Sequence, residues 1–414
     1  MITFDAPSYA LSATTPPITH GGNLHAASER FGIPYETWLD LSTGINPHGY
    51  PVTEIPATIW NRLPEDDDGL AEHATRYYGA PHVLPVAGSQ AAIRTLPYLL
   101  PRGRVGIAVL GYSEYAPAFA RAGHTVVPLT PADFTTHAST LTATSTHTLD
   151  HLVVVNPNNP DGRLIPPAKL HAWHRDLAAR GGTLLVDEAF IDCQPDQSVA
   201  YLSAQPGCIV LRSTGKFFGL AGARIGFVLA APAVLTQLRT ALGHWTVNGP
   251  ARWITAQAMA DTGWQTATRT ALHQAGARLG ALLRQHGLPA RDTALFSWIP
   301  GPMAAIWQTA LARHAIWTRC FAATERLATP DDVSTSKPGS GLAPDLQTRP
   351  GTHADAAPDT APCIAPCRAP DGRFDDRFDD GLDGGLRIGL PGDEAAWTRL
   401  ETALATLPRS TAST

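Results

Sequence analysis

The chain has 414 residues, of which 44% are hydrophobic and 16% charged, and its formal net charge is -5. That length and apolar content support a large buried core divided into two or three domains. The charge supplies no basic field to attract nucleic acid or an anionic membrane surface, which leaves small-molecule chemistry as the leading class.

The N-terminal stretch MITFDAPSYALSATTPP has neither the basic start nor the continuous apolar segment of a signal peptide. Nowhere do about 18 apolar residues run together, so a cytoplasmic protein without a membrane span is expected. Residues 1–50 read as an N-terminal segment, 51–250 as a large domain, and 251–414 as a smaller C-terminal domain. From about Pro81 to Leu229, short apolar runs alternate with longer helical patterns, the signature of a mostly parallel sheet wound with helices in an α/β fold. The expected strands are Val105 to Leu110, Leu152 to Val155, Thr183 to Val186, Cys208 to Leu211 and Gly226 to Leu229. Runs such as LVVV and TLLV are apolar on both faces, which places them inside the sheet. Pro166 to Arg180 reads as a helix with Pro near its start and Gly181 and Gly182 beyond its end. Another is expected to open at Gly88, Ser89 and Gln90, with Pro97 kinking or shortening it. The alanine-rich stretch from Trp253 to about His286 is helical, and a last helix runs from Asp393 to Leu407.

Between about 328 and 384, Pro, Asp, Gly, Ser and Thr dominate, so a disordered insertion is expected there. It contains a tandem RFDD repeat (Arg373 to Asp376, Arg377 to Asp380), most simply a local duplication. The five cysteines, Cys193, Cys208, Cys320, Cys363 and Cys367, are odd in number and scattered, unlike a disulfide framework. Cys363 and Cys367 lack a second ligand pair, so no metal site is expected.

In a sheet of this kind, ligands bind outside the carboxyl ends of the strands, and that is where the polar residues concentrate. A lysine just past a buried strand, as Lys216 is in RSTGKFFGLAGARIG, can be desolvated into a nucleophilic amine. Ser213, the backbone at Gly215 and Arg224 can hold a phosphate, and the amides at Gly88, Ser89 and Gln90 can bind an anion at a helix start. Asp187 leaves a buried strand as a carboxylate that requires a cationic partner, and Asn159 offers an amide to a ring hydroxyl. Each feature alone is equally a turn, a cap or a structural acid. In this order they are a coincidence hard to produce otherwise.

AGSQ, GYSEY, NPNNPDG, DEAF and STGKFFGLAGARIG together resemble the pyridoxal-phosphate-dependent aminotransferases of fold type I, along nearly the whole chain apart from the insertion. The resemblance implies a large domain built on a mostly parallel seven-stranded sheet beside a smaller α+β domain. It implies pyridoxal 5'-phosphate bound through a Schiff base at Lys216, with the pyridine nitrogen at Asp187, the ring hydroxyl at Asn159 and ring stacking on Tyr112. Phosphate contacts fall to Ser89, Gln90, Ser213 and Arg224. Two positions depart from the common pattern: Phe190 and Leu63 stand where many relatives carry tyrosine.

THGGNLHAASERFG and DLSTGINPHGYP, with DEAF, narrow the resemblance to the threonine-phosphate decarboxylase branch, which supplies aminopropanol phosphate for cobalamin biosynthesis. That branch implies a small phosphorylated amino-acid substrate held by His20, Gly22, Asn23, Asn46, Asn159, Arg319 and Arg387. The two arginines would clamp its acidic groups, in an order the sequence leaves open. A homodimer is expected from the two-fold sites of fold relatives. Decarboxylation is the leading activity, histidinol-phosphate-type transamination the second, and a non-catalytic scaffold of the same fold the third.

Overall fold

The computed structural model describes residues 20–135, 149–322 and 384–408. Strand β1 (Leu39–Asp40) belongs to the N-terminal segment. The large sheet takes seven strands: β2 (Val83–Val86), β3 (Arg104–Ala108), β4 (Thr125–Leu129), β5 (His151–Val155), β6 (Thr183–Asp187), β7 (Cys208–Ser213) and β8 (Gly226–Ala230). Their order is β2-β8-β7-β6-β5-β3-β4. The pairs from β7 through to β4 are parallel, and β8 alone runs against its neighbours on both sides.

β6 is buried along all five residues because it has neighbours on both edges and helices over both faces, as the run TLLV requires. Strands β2 and β4, absent from the sequence reading, each carry a proline, Pro85 and Pro128, and each lies at an edge of the sheet. That is where a strand tolerates the missing donor. The core lies on both sides of the sheet. One side gathers Phe217, Phe218, Phe227, Trp173 and Val186, and the other Ile93, Leu96, Tyr115, Phe119 and Leu211.

The helix Ser89–Leu99 includes Pro97 and ends two residues later. Pro167–Ala178 forms the expected crossover helix. The alanine-rich stretch is two helices, Gly249–Ala260 and Thr262–Gln285, divided at Asp261, whose side chain caps the second by accepting from the Trp264 amide at 2.9 Å.

The remaining strands are β9 (Arg291–Asp292), β10 (Phe296–Pro300), β11 (Ile316–Trp317), β12 (Arg319–Ala322) and β13 (Gly384–Gly389). Four of them form an antiparallel sheet in the order β12-β13-β10-β9. β11 pairs in parallel with β1 as a separate two-stranded sheet, which ties the N-terminal segment to the chain just before β12. The closing helix is Glu394–Leu404, with Asp393 as its cap. The expected insertion lies outside the described residues except for Gly384, and so do Cys363, Cys367 and the RFDD repeat. Among the described residues no helix is long and apolar enough to cross a membrane.

Candidate active site

Three consecutive parallel strands deliver the chemistry to one edge of the large sheet. Asp187 is the last residue of β6 and Ser213 the last of β7, while the turn after β5 carries Asn156 to Gly162. Asp187 is 3% exposed. Its Oδ2 accepts from the Tyr115 hydroxyl at 2.7 Å and its Oδ1 from the Ala189 amide at 3.0 Å. Burial raises the Asp187 carboxyl above its ordinary range, opposed by those two hydrogen bonds and by the Lys216 charge. A cation placed against it would relieve that burial.

Lys216 stands just past β7, with its amine 5.3 Å from the Phe190 ring centroid. Burial brings the ammonium down to about 8, helped by the Arg387 and Arg224 cations and opposed by Asp187. The amine is thereby available as a nucleophile near neutral pH. Asn46 lies 3% exposed behind it, its backbone amide on the Lys216 carbonyl at 3.0 Å and its side-chain amide on the Phe217 carbonyl at 2.9 Å. In this structure Asn46 shapes the lysine loop and directs no side-chain donor into the cleft.

The turn before the helix Ser89–Leu99 is a cradle for an anion. Gly88 has φ 71°, a conformation suited to glycine, and a Cβ there would stand 2.8 Å from an Arg224 guanidinium nitrogen. The helix has no side chain capping its first turn, so its leading amides are available. Ser213 Oγ accepts from the Gly215 amide at 3.2 Å beside this turn.

The opposite wall comes from the smaller sheet. Arg387 on β13 is 6% exposed, donating from Nη1 to Asn159 Oδ1 at 2.5 Å and from Nη2 to the Ser42 carbonyl at 2.6 Å. Its Nε is buried without a partner. Burial and the neighbouring Arg319 cation bring this guanidinium down to about 10. Arg319 is the cross-strand partner of Arg387 in the β12-β13 register. Two like charges directly opposite destabilise each other, and an anion between them removes the penalty.

The N-terminal segment lies along the cleft. His20 Nε2 is 3.0 Å from Glu114 Oε1, and its ring is 6.2 Å from that of Tyr112. The Tyr112 hydroxyl donates to Gln90 Oε1 at 3.2 Å, and burial pushes this phenol up to about 12. Gly22 donates its amide to Ser42 Oγ at 2.7 Å, whereas Asn23 is an exposed cap whose Oδ1 accepts from Ala26 at 3.3 Å. Of the two departures, Phe190 packs edge-on against Phe296 with ring centroids 5.3 Å apart, and Leu63 is 63% exposed.

Sequence reasoning passed over Glu114 and Tyr115, although both belong to GYSEY. Tyr115 offered no signal distinct from a core aromatic. Glu114 did, as an acid at a helix start among apolar residues, but its partners are far off in the chain.

A mostly parallel seven-stranded sheet with a buried aspartate and a reactive lysine at adjacent strand ends defines the class of the aminotransferases. The chain belongs to the aminotransferase class I and II family, whose model matches residues 63–329. Within that family it is similar to the threonine-phosphate decarboxylase of Pseudomonas aeruginosa, 49% identical over 318 residues that cover 76% of this chain and 94% of that protein. The threonine-phosphate decarboxylase of a Sinorhizobium species is 42% identical, over 74% of this chain and 90% of that protein. Among solved structures, the histidinol-phosphate aminotransferase of Sinorhizobium meliloti in complex with pyridoxal-5'-phosphate superposes with a TM-score of 0.69 at 17% identity, covering 96% of this chain and 97% of that one. That likeness speaks for the fold alone.

Proposed function

We propose that this protein decarboxylates L-threonine O-3-phosphate with pyridoxal 5'-phosphate, giving (R)-1-amino-2-propanol O-2-phosphate and carbon dioxide for cobalamin biosynthesis. The observation that carries the substrate class is the pair Arg319 and Arg387, opposite one another in register, with a buried and unpartnered Nε on Arg387. A substrate bearing both a carboxylate and a phosphate answers two adjacent cations, whereas histidinol phosphate brings a phosphate and no carboxylate. The extent of likeness to the two decarboxylases supports the same reading.

The residues fit the cofactor. Asp187 would take the protonated pyridine nitrogen, Asn159 the ring hydroxyl and Tyr112 a ring face. The Gly88 and Ser89 turn, with Gln90, Ser213 and Arg224, would hold the phosphate. When bound, pyridoxal phosphate supplies an electron sink for the pair released as a bond to the α-carbon breaks.

The chain's own residues decide which bond that is. Arg387, locked between Asn159 and the Ser42 carbonyl, presents a fixed donor plane, and a fixed plane restricts how an acidic group can lie relative to the ring. Such a hold would favour release of the carboxylate as carbon dioxide over loss of the α-hydrogen. Lys216, just past the end of β7 beside Asp187, would deliver a proton to the α-carbon. Its ammonium, brought down to about 8, can hold that proton at neutral pH and yield it.

Transamination is the second reading, and it requires an oxo acid. The experiment is incubation of the cofactor-loaded protein with threonine phosphate and no oxo acid, beside a Lys216→Ala control. Carbon dioxide release by the wild type alone is expected. A requirement for an oxo acid with amino-group transfer overturns the decarboxylase reading.

The active unit is a homodimer in this proposal. Val52, Trp60, Leu63 and Trp245 are 62–65% exposed, an apolar set that a second copy would cover. Sedimentation at micromolar concentration checks it, with a monomer as the contrary result.

A further inference from the structure

Glu114 precedes the helix Tyr115–Arg121, yet its side chain makes no capping hydrogen bond to it. Its carboxylate, 6% exposed, instead reaches across to three other places in the chain. Oε1 meets His20 Nε2 at 3.0 Å, Oε2 accepts from Gln90 Nε2, and Arg94 Nε stands 3.9 Å from Oε2. Arg94 is 60% exposed and at the limit of an ion pair, so the close partners are His20 and Gln90. A carboxylate this buried is held only by such partners.

We propose that Glu114 is a positioning residue that anchors the N-terminal segment over the site and, through Gln90, sets the orientation of Tyr112. A carboxylate can only accept, so it turns the Gln90 NH2 toward itself and leaves the Gln90 carbonyl facing Tyr112. The Tyr112 hydroxyl donates to that carbonyl at 3.2 Å, and the His20 ring lies 6.2 Å from the Tyr112 ring. One charge therefore fixes both the segment and the aromatic ring beneath it. The segment has a second tether, the Gly22 amide on Ser42 Oγ at 2.7 Å. That tether leads to the Arg387 side of the cleft, because the Ser42 carbonyl accepts from Arg387. Glu114 is the tether that reaches the cofactor side.

This inference takes the use of Tyr112 from the proposed function, but its first test does not. Amide hydrogen exchange of residues 20–31 is measured in the full chain, with and without pyridoxal phosphate and with no substrate. Loss of one charged hydrogen bond predicts about ten-fold faster exchange there in Glu114→Ala, with β6 and β7 unchanged. His20→Ala should give the same acceleration, and the double variant no more than either single one. Glu114→Gln keeps the shape and loses the charge, so it tests the anchor where the alanine variant fails to fold; its exchange should rise by a smaller factor. With substrate, KM should rise while the absorption band of the bound cofactor stays in place. Unchanged exchange at 20–31 in Glu114→Gln, or additive effects of Glu114→Ala and His20→Ala, overturns the proposal. Because the exchange readout needs no turnover, it stands or falls separately from the decarboxylase assignment.

Discussion

The two walls of the cleft are built in different ways. The large-sheet wall comes from adjacent parallel strands: Asp187 ends β6, Ser213 ends β7, and Lys216 follows within one turn. The smaller-sheet wall centres on Arg387, which reaches across to Asn159 on the turn after β5, 228 positions away, and to Ser42, 345 positions away. The first wall is rigid because its ladder and ion pairs are buried. The second holds its geometry through side-chain hydrogen bonds across the cleft. A site made this way keeps a fixed reactive centre and adjusts its substrate clamp separately, as a shared fold with many substrates requires.

Removing the reactive amine breaks the first wall's function most severely. Lys216→Ala should lower carbon dioxide release by roughly three orders of magnitude or more, since nucleophile and proton donor are lost together. Manometry or a coupled carbonate assay reads it, and the far-ultraviolet spectrum should be unchanged.

The rigidity of that wall rests on Arg212, 2% exposed, which pairs with Glu188 at 2.9 Å and with Asp192 and lies 4.3 Å from the centre of the Tyr78 ring. Arg212→Ala leaves two buried carboxylates without their cation and should cost about 3–5 kcal/mol of folding stability. The midpoint of urea unfolding measures it. A loss under 1 kcal/mol would mean that the ion network does not set the platform.

The second wall should fail more selectively. Arg387→Met should lower kcat/KM for threonine phosphate by on the order of 10²-fold, from the loss of charge-assisted hydrogen bonds, while leaving the unfolding midpoint closer to wild type than Arg212→Ala does.

The smallest effect sharpens the coupling between the walls. Burial, then Arg387, lowers the Lys216 ammonium to about 8. In cofactor-free protein, labelling of Lys216 by an amine-directed reagent should therefore rise with pH through a midpoint near 8, because only the neutral amine reacts. Removing the like charge in Arg387→Met favours the protonated form and should move that midpoint upward. An unchanged midpoint would separate the two walls electrostatically.

Legibility in the sequence follows the same division. Strands β5, β6 and β7 were readable because burial on both faces demands unbroken apolar runs, and the polar residues that end them stand out. Strands β2 and β4 were hidden by Pro85 and Pro128, which are acceptable only because tertiary structure puts both strands at edges. The reversed direction of β8 left no local mark either, since an apolar strand reads alike both ways.

By itself the sequence determined the apolar strands, the turns that follow them, and the lysine, aspartate and asparagine available at their ends, because these depend on short-range pattern and residue chemistry. Only the tertiary structure decided that Arg387 meets Asn159, that Arg319 stands opposite Arg387, and that Glu114 receives His20. Those meetings are fixed by strand register and by the need of buried polar groups for partners, and neither leaves a periodic trace along the chain.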